Sequence, residues 1–278
     1  MSEDRAGAID RAFLERLDTL QDAPRRDREL PLFDGASLTG AVALELFDAQ
    51  ARSRLLDLAA RHLRARGAGF YTIGSSGHEG NAAVAAALRP TDPALLHYRS
   101  GGFFLARAMQ AGYEHAARDV LLGVVASRDE PIAGGRHKVF GNASLCISPQ
   151  TSTIASHLPR ALGLAFAIER GKKLGVPSTT PPDSIVIASF GDASINHSTA
   201  AGAINAACHA SFQHVPVPLL LVCEDNGIGI SVPSPEGWVE ASYRERAGLR
   251  YFSADGCDLE QTYRVAREAA AHVRIRRR

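Results

Sequence analysis

The sequence predicts an α/β fold, a mostly parallel sheet with helices on both faces. Three observations carry this expectation. "SIVIASF" at 184–190 and "PLLLVC" at 218–223 are apolar at nearly every position, as strands buried on both faces are. Each is followed by a helical segment, near 196–210 and near 237–247, so strands and helices alternate. The 278 residues, 45% of them hydrophobic, suffice for a sizeable core.

From the N-terminus, Ile9, Phe13, Leu17 and Leu20 recur three or four apart, which predicts a short amphipathic helix over 8–20. The charged, proline-containing stretch "DAPRRDRELPLFDGAS" follows, and residues 1–38 read as an arm and linker. Residues 39–278 read as the α/β domain. From Gly40 to Arg66 the pattern of Leu44, Phe47, Leu55, Leu58 and Leu63 gives one long helix with arginines on its outer face. Further elements are a helix near 78–88, a short strand near 94–98, and helices near 101–125 and 151–174. After the strand at 218–223 and the helix at 237–247 come a strand near 250–254 and a helix near 258–275. The closing "VRIRRR" suits the dipole at a helix C-terminus, and a helix in such a fold ordinarily feeds another strand; the stop at Arg278 is read as a cut from a longer polypeptide.

Composition narrows the function classes. Lysine plus arginine number 31 against 30 acidic residues, so a net charge of +1 supplies no global field for nucleic acid or an anionic membrane. No apolar stretch approaches the roughly 20 residues that span a bilayer, and "MSEDRAGAIDRAF" lacks the apolar region of a signal peptide. Cys146, Cys208, Cys223 and Cys257 form no CxxC pair, which suggests a reducing, cytoplasmic setting. A zinc site on an HExxH helix is excluded because that motif is missing.

In open parallel sheets, ligands bind beyond the carboxyl ends of the strands, so the segments after 190 and after 223 should share one cleft. "GDAS" at 191–194 offers a backbone that permits close approach, the hard oxygen of Asp192, and the free amides of the helix that follows. "EDNG" at 224–227 offers further oxygens. Oxygen ligands beside an anion-binding helix start suit magnesium, which takes one or two carboxylates and completes its shell with phosphate and water. By itself Asp-Asn-Gly has the composition of a turn.

Together, 34 positions apart from Asp192 to Asn226 and on consecutive strands, the two segments resemble the thiamine diphosphate motif. "SSGHEGNAAVAAALRPTD", "HYRSGGFFLARAM", "PQTSTIASHLPRALGLAFAIERGKK" and "EDNGIGIS" narrow the resemblance to the α subunit of 2-oxo acid dehydrogenase E1 components, of the branched-chain and pyruvate type, from about residue 40 to 276. The resemblance implies a thiamine diphosphate-binding fold with Mg2+ held by Asp192, Asn226 and the carbonyl of Ile228. It implies that Gly191, Ala193 and Ser194 line the cofactor, that Tyr98 and Arg99 hold the diphosphate, and that Ser152 and Ile154 lie near the aminopyrimidine. The activating glutamate is expected on a β-type subunit or fused β half, within an α2β2-like assembly that passes its acyl group to a lipoyl-bearing E2. Among 2-oxo acid substrates the resemblance leans to branched-chain ones, with pyruvate next and acetoin after it.

Three departures stand out. Ala193 replaces the motif's second glycine, Glu224 stands where an arginine often touches the diphosphate, and Asp225 stands where the first asparagine would be. The family's C-terminal histidine loop would lie beyond Arg278. His78, His97, His137, His157 and His197 lie in or beside the matching segments; a histidine in such a place is usually a structural hydrogen-bonder, and His197 and His137 are the candidates for an active-site role. Two other readings compete. A nicotinamide-dependent oxidoreductase would need G-x-G-x-x-G after the first strand, which "GIGISV" at 227–232 does not supply. A non-catalytic assembly module would account for Ala193 and Glu224 but not for the retained Asp192 and Asn226. A P-loop is absent.

Overall fold

The computed structural model describes residues 5–21, 25–70 and 74–278. Its sheet has four parallel strands, β1 (Ala94–Leu95), β2 (Ile147–Ser148), β3 (Val186–Gly191) and β4 (Leu219–Glu224), in the order β2-β1-β3-β4. The helices are α1 (Arg5–Asp18), α2 (Gly40–Ala65), α3 (Asn81–Ala86), α4 (Gly101–Gln110), α5 (Ala116–Val124), α6 (Leu158–Leu174), α7 (Ser198–Phe212), α8 (Trp238–Tyr243) and α9 (Leu259–Arg276).

Side-chain alternation along β3 and β4 divides the interior into two layers. Ile185 and Ile187, with Leu220 and Val222, face a core built with Leu46, Phe103, Phe104, Ala270 and Val273 of α2, α4 and α9. Val186, Ala188 and Phe190, with Leu219, Leu221 and Cys223, face Leu158, Ala161, Ile204 and Val239 of α6, α7 and α8. Helices therefore cover both faces, as the doubly apolar strands predict.

Several elements differ from the sequence expectation. The first strand stops at Leu95 because the His97 amide leaves the ladder and donates to the Ser189 hydroxyl (3.2 Å). β2 is only two residues long, too short to carry a period, and the sequence does not announce it. Residues 151–157 form turns and the helix begins at Leu158. In α2 the large apolar stripe faces outward: Leu44, Phe47 and Leu55 are at least half exposed, while Leu46, Ala49, Ser53 and Ala60 are buried. Small residues there let α4 approach closely. The expected strand at 250–254 does not form: the segment pairs with no strand and, together with β4, lines a cleft of about 800 Å³.

The helical arm is present, with Phe13, Leu14 and Leu20 exposed; the Ile9 side chain and positions 22–24 lie outside the described residues. The arm's end is fastened where the Ser37 and Leu38 amides donate to the Glu260 carboxylate of α9 (2.7 and 2.9 Å). No helix among the described residues is long and apolar enough to cross a membrane.

The basic run at the end of α9 is a staple across the N-terminal ends of the strands. Arg274 pairs both nitrogens with the fully buried Asp92 (3.1 and 2.6 Å), whose oxygens also accept the amides of Arg89 and Ile185. Arg277 binds Glu169 and the carbonyls of Asp183 and Ser184. Beneath them the buried Arg107 donates to the carbonyls of Pro90, Asp92 and Leu145. Burial lowers its guanidinium to about 10 against the pull of Asp92, so it stays charged at neutral pH.

At the other end, the His157 Nε2 donates to the Ser189 carbonyl (2.9 Å) from a buried position and pins α6 onto β3. Burial, only partly offset by that hydrogen bond, pushes its imidazole down from 6.5 to about 4.

Two outcomes follow from these contacts. Arg274→Met leaves Asp92 buried and unpaired, and urea denaturation should show a loss of about 3 kcal/mol; a loss under ~1 kcal/mol would refute the staple. His157 is neutral when folded but protonates below pH 6.5 when unfolded, so its contribution is complete above pH 6.5 and is lost as the pH falls toward 4. Comparing denaturation at pH 7 and pH 4.5, His157→Gln should lessen the acid-side loss by up to ~3 kcal/mol, whereas an unchanged pH profile would show that this group is not responsible.

Candidate cofactor and metal site

In the register of β3 and β4, Gly191 lies opposite Glu224, so the two chains leave the sheet side by side. After β3 the chain makes one 3-10 turn over Asp192–Ser194, tightened by the Ser194 hydroxyl donating to the Gly191 carbonyl (2.6 Å). After β4, Asn226 Oδ1 accepts the Ile228 amide (3.2 Å), Gly227 takes a left-handed φ of 73°, and Ile228 bridges back to Pro233. Glycine is required at 229: a Cβ there would stand 2.9 Å from the Ala193 Cβ, so this loop folds directly against the first motif.

Asp192 is 2% exposed, and its Oδ2 is a buried oxygen with no hydrogen-bond partner. Such an oxygen is costly unless something positive meets it. Its surroundings supply more negative charge. Burial and then the charge of Asp192 push the Asp225 carboxyl up. The Cys223 thiol is pushed up by burial and by Asp225, Asp192 and Glu224. An orphaned carboxylate oxygen, an amide oxygen on Asn226 at the end of the neighbouring strand and an unbalanced negative potential are what a hard divalent cation fits.

Of the cofactor-lining residues expected from sequence, the structure brings Gly191, Asp192, Ala193, Ser194, Asn226 and Ile228 together at the strand ends. Ile154 joins them: its Cδ1 is 3.7 Å from where a Cβ on Gly191 would be. Ser152 is half-buried in the same turn, in which buried Ala155 holds a left-handed φ of 61°, a strained conformation of the kind kept at functional sites. Tyr98 and Arg99 are tied to the site through their neighbour His97, which bonds Glu224. Arg99 itself donates to the Gly74 carbonyl (2.7 Å) with its guanidinium 5.2 Å from the Tyr98 ring centre, and Tyr98 lines a separate cavity of about 110 Å³ beside Asp57 and Ser75.

Neither candidate histidine sits among the gathered oxygens. His197 is exposed and caps α7, its Nδ1 accepting the Thr199 amide (3.2 Å), and His137 is exposed at the rim of the small cavity. The role of Glu224 is not legible in the sequence. Its carboxylate turns inward to the His78 Nδ1 and the His97 Nε2. Burial pushes it up, but the electrostatic pull of the His97 ring and the hydrogen bonds of both rings outweigh this and hold it at about 2. The partners stand 146 and 127 positions away, so only their placement in two matching segments hinted at them.

Against known proteins, residues 48–277 match the family described as dehydrogenase E1 component. The 2-oxoisovalerate dehydrogenase subunit alpha of Bacillus subtilis (strain 168) is 28% identical over 246 residues, covering 85% of this chain and 68% of the relative. The mitochondrial 2-oxoisovalerate dehydrogenase subunit alpha of Caenorhabditis elegans is 26% identical over 233 residues, covering 82% and 49%, and that of Homo sapiens is 22% identical over 253 residues, covering 88% and 48%. The chain thus spans about half the length of the mitochondrial relatives and about two thirds of the bacterial one. With a family match over most of its length and a sheet whose ends gather the motif residues, this chain belongs to the dehydrogenase E1 component family.

Proposed function

We propose that the chain is the α-type part of a 2-oxo acid dehydrogenase E1 component that holds magnesium and thiamine diphosphate for the decarboxylation of a branched-chain 2-oxo acid. The observation that carries this reading is the orphaned, buried Oδ2 of Asp192 at the end of β3, one strand away from the loop that carries Asn226. The branched-chain preference is supported by the relatives, which are 2-oxoisovalerate dehydrogenase α subunits.

In this reading Asp192 and Asn226 donate side-chain oxygens to Mg2+ and Ile228 its carbonyl. Gly191, Ala193 and Ser194 form the wall against which the diphosphate lies. Arg99, whose planar fork can pair two oxygens, would hold the diphosphate together with Tyr98, exchanging the Gly74 carbonyl for phosphate oxygens. Ser152 and Ile154 support the middle of the cofactor. When bound, thiamine diphosphate supplies the electron sink that decarboxylation of a 2-oxo acid requires. The chain's own residues bind and orient that group. A β-type partner, in an α2β2-like assembly, would complete the site with an acidic residue, and a lipoyl-bearing E2 would accept the acyl group. A cytoplasmic location is part of the same proposal. The inward turn of Glu224 gives it a task inside the protein, which removes one of the two departures that favour an assembly module.

Calorimetric titration of thiamine diphosphate into the chain assembled with its β-type partner tests this directly. Binding should require Mg2+, vanish with chelator, and weaken at least ~100-fold in Asp192→Asn, since a ligand carboxylate is lost. Equal binding by Asp192→Asn would remove Asp192 from the metal shell, and no binding by the intact assembly would leave the module reading.

A further inference from the structure

Glu224, His78 and His97 lie directly behind the proposed metal ligands, and nothing above gives them a part in function. Their ligand atoms fall within 4.8 Å of one another, the kind of cluster that can itself hold a metal. The order of protons rules against that. The Arg99 amide donates to the His97 Nδ1 (3.2 Å), so that nitrogen carries the lone pair and the proton of the neutral ring sits on Nε2, facing Glu224 at 2.5 Å. On the other side the Ile228 amide donates to Asn226 Oδ1, which fixes the amide so that its Nδ2 faces the His78 Nε2 (3.4 Å). The His78 Nε2 therefore accepts, and its proton sits on Nδ1, facing Glu224. Both rings donate into the carboxylate, and neither has a lone pair left for a cation between them.

Two backbone amides thus set a directed chain: Ile228 N–H to Asn226 Oδ1, Asn226 Nδ2–H to His78 Nε2, and His78 Nδ1–H to Glu224, which His97 holds from behind. The members are mostly enclosed, with His78 9% and His97 2% exposed and the Glu224 side chain 13% exposed. Hydrogen bonds in such a chain polarise one another.

We infer that His78, anchored by Glu224, is a positioning residue that fixes the Asn226 amide with its oxygen toward the metal. The inference rests on the magnesium-thiamine diphosphate reading and adds to it. The Ile228 amide holds only the oxygen end of the Asn226 amide; a nitrogen acceptor behind Nδ2 fastens the other end, so that a metal competing for Oδ1 meets an amide that does not turn. The carboxylate also pushes electron density through the ring and amide, making Oδ1 a stronger ligand, as partners behind metal ligands do. Glutamine at 78 could replace both contacts, its oxygen accepting from Asn226 and its amide donating to Glu224, while leucine could replace neither.

The test has two arms. In the first, nitrogen-15 spectra of the histidines in the metal-free full chain should show His97 protonated at Nε2 and His78 at Nδ1; the opposite tautomer of His78 would overturn the relay whatever binds. In the second, Mn2+ binding in the presence of thiamine diphosphate is followed by electron paramagnetic resonance on the assembled protein. His78→Leu should weaken Mn2+ by ~10–100-fold, His78→Gln should restore most of it, and thermal unfolding without metal should show both variants folded. If wild type binds and His78→Leu binds equally, the positioning role is wrong and the cofactor reading stands. If wild type does not bind, the cofactor reading fails and the positioning role falls with it.

Discussion

The parallel pairing of β3 with β4 is the constraint on which the site depends. Because Gly191 is opposite Glu224, Asp192 and the Asp225-Asn226 pair emerge at the same level of the sheet. A slip of one residue would turn each strand's alternate side chains to the other core, exchanging Ile187 for Ala188 or Val222 for Cys223, and neither layer would pack. The two hydrophobic layers therefore fix the position of the carboxylates. The core is specific in register so that the site can be specific in geometry.

Charge is arranged in opposite ways at the two ends of this sheet. At the N-terminal ends of the strands, Asp92, Glu169 and Asp183 are matched by Arg274, Arg277 and Arg89, and carbonyls of Asp183 and Ser184 accept further donors of Arg274 and Arg277. At the C-terminal ends, carboxylates outnumber their protein partners. Glu224 is satisfied by two imidazoles, while Asp192 keeps a buried oxygen with none and pushes against Asp225. Negative charge is balanced by arginines at one end and left in excess at the other, an asymmetry that a cationic ligand at the second end would relieve.

Much of this was legible in the sequence. Runs apolar on both faces, "SIVIASF" and "PLLLVC", gave the parallel sheet because their burial is written in composition. "GDAS" and "EDNG" pointed to the candidate site because the ends of neighbouring strands converge by topology, independent of detail. What failed did so for physical reasons. β2 is too short to carry a period, and the strand at 250–254 needed a neighbour that is not beside it. In α2 the size of Leu44 and Phe47 suggested the buried face, yet a close helix contact selected the small residues. Glu224 was read as a lost arginine because its partners, His78 and His97, meet it only in three dimensions. The closing arginines looked like dipole complements and proved to be tertiary staples.

The central claim is that the oxygens of Asp192 and Asn226 hold a divalent metal for a diphosphate. Anomalous diffraction from crystals of the chain with its β-type partner, grown with Mn2+ and thiamine diphosphate, addresses it most directly. The account predicts one peak about 2.1 Å from Asp192 and Asn226 Oδ1, with the His78–Glu224–His97 cluster intact behind it. A peak centred between those two histidines and Glu224, with Asp192 bare, would contradict it.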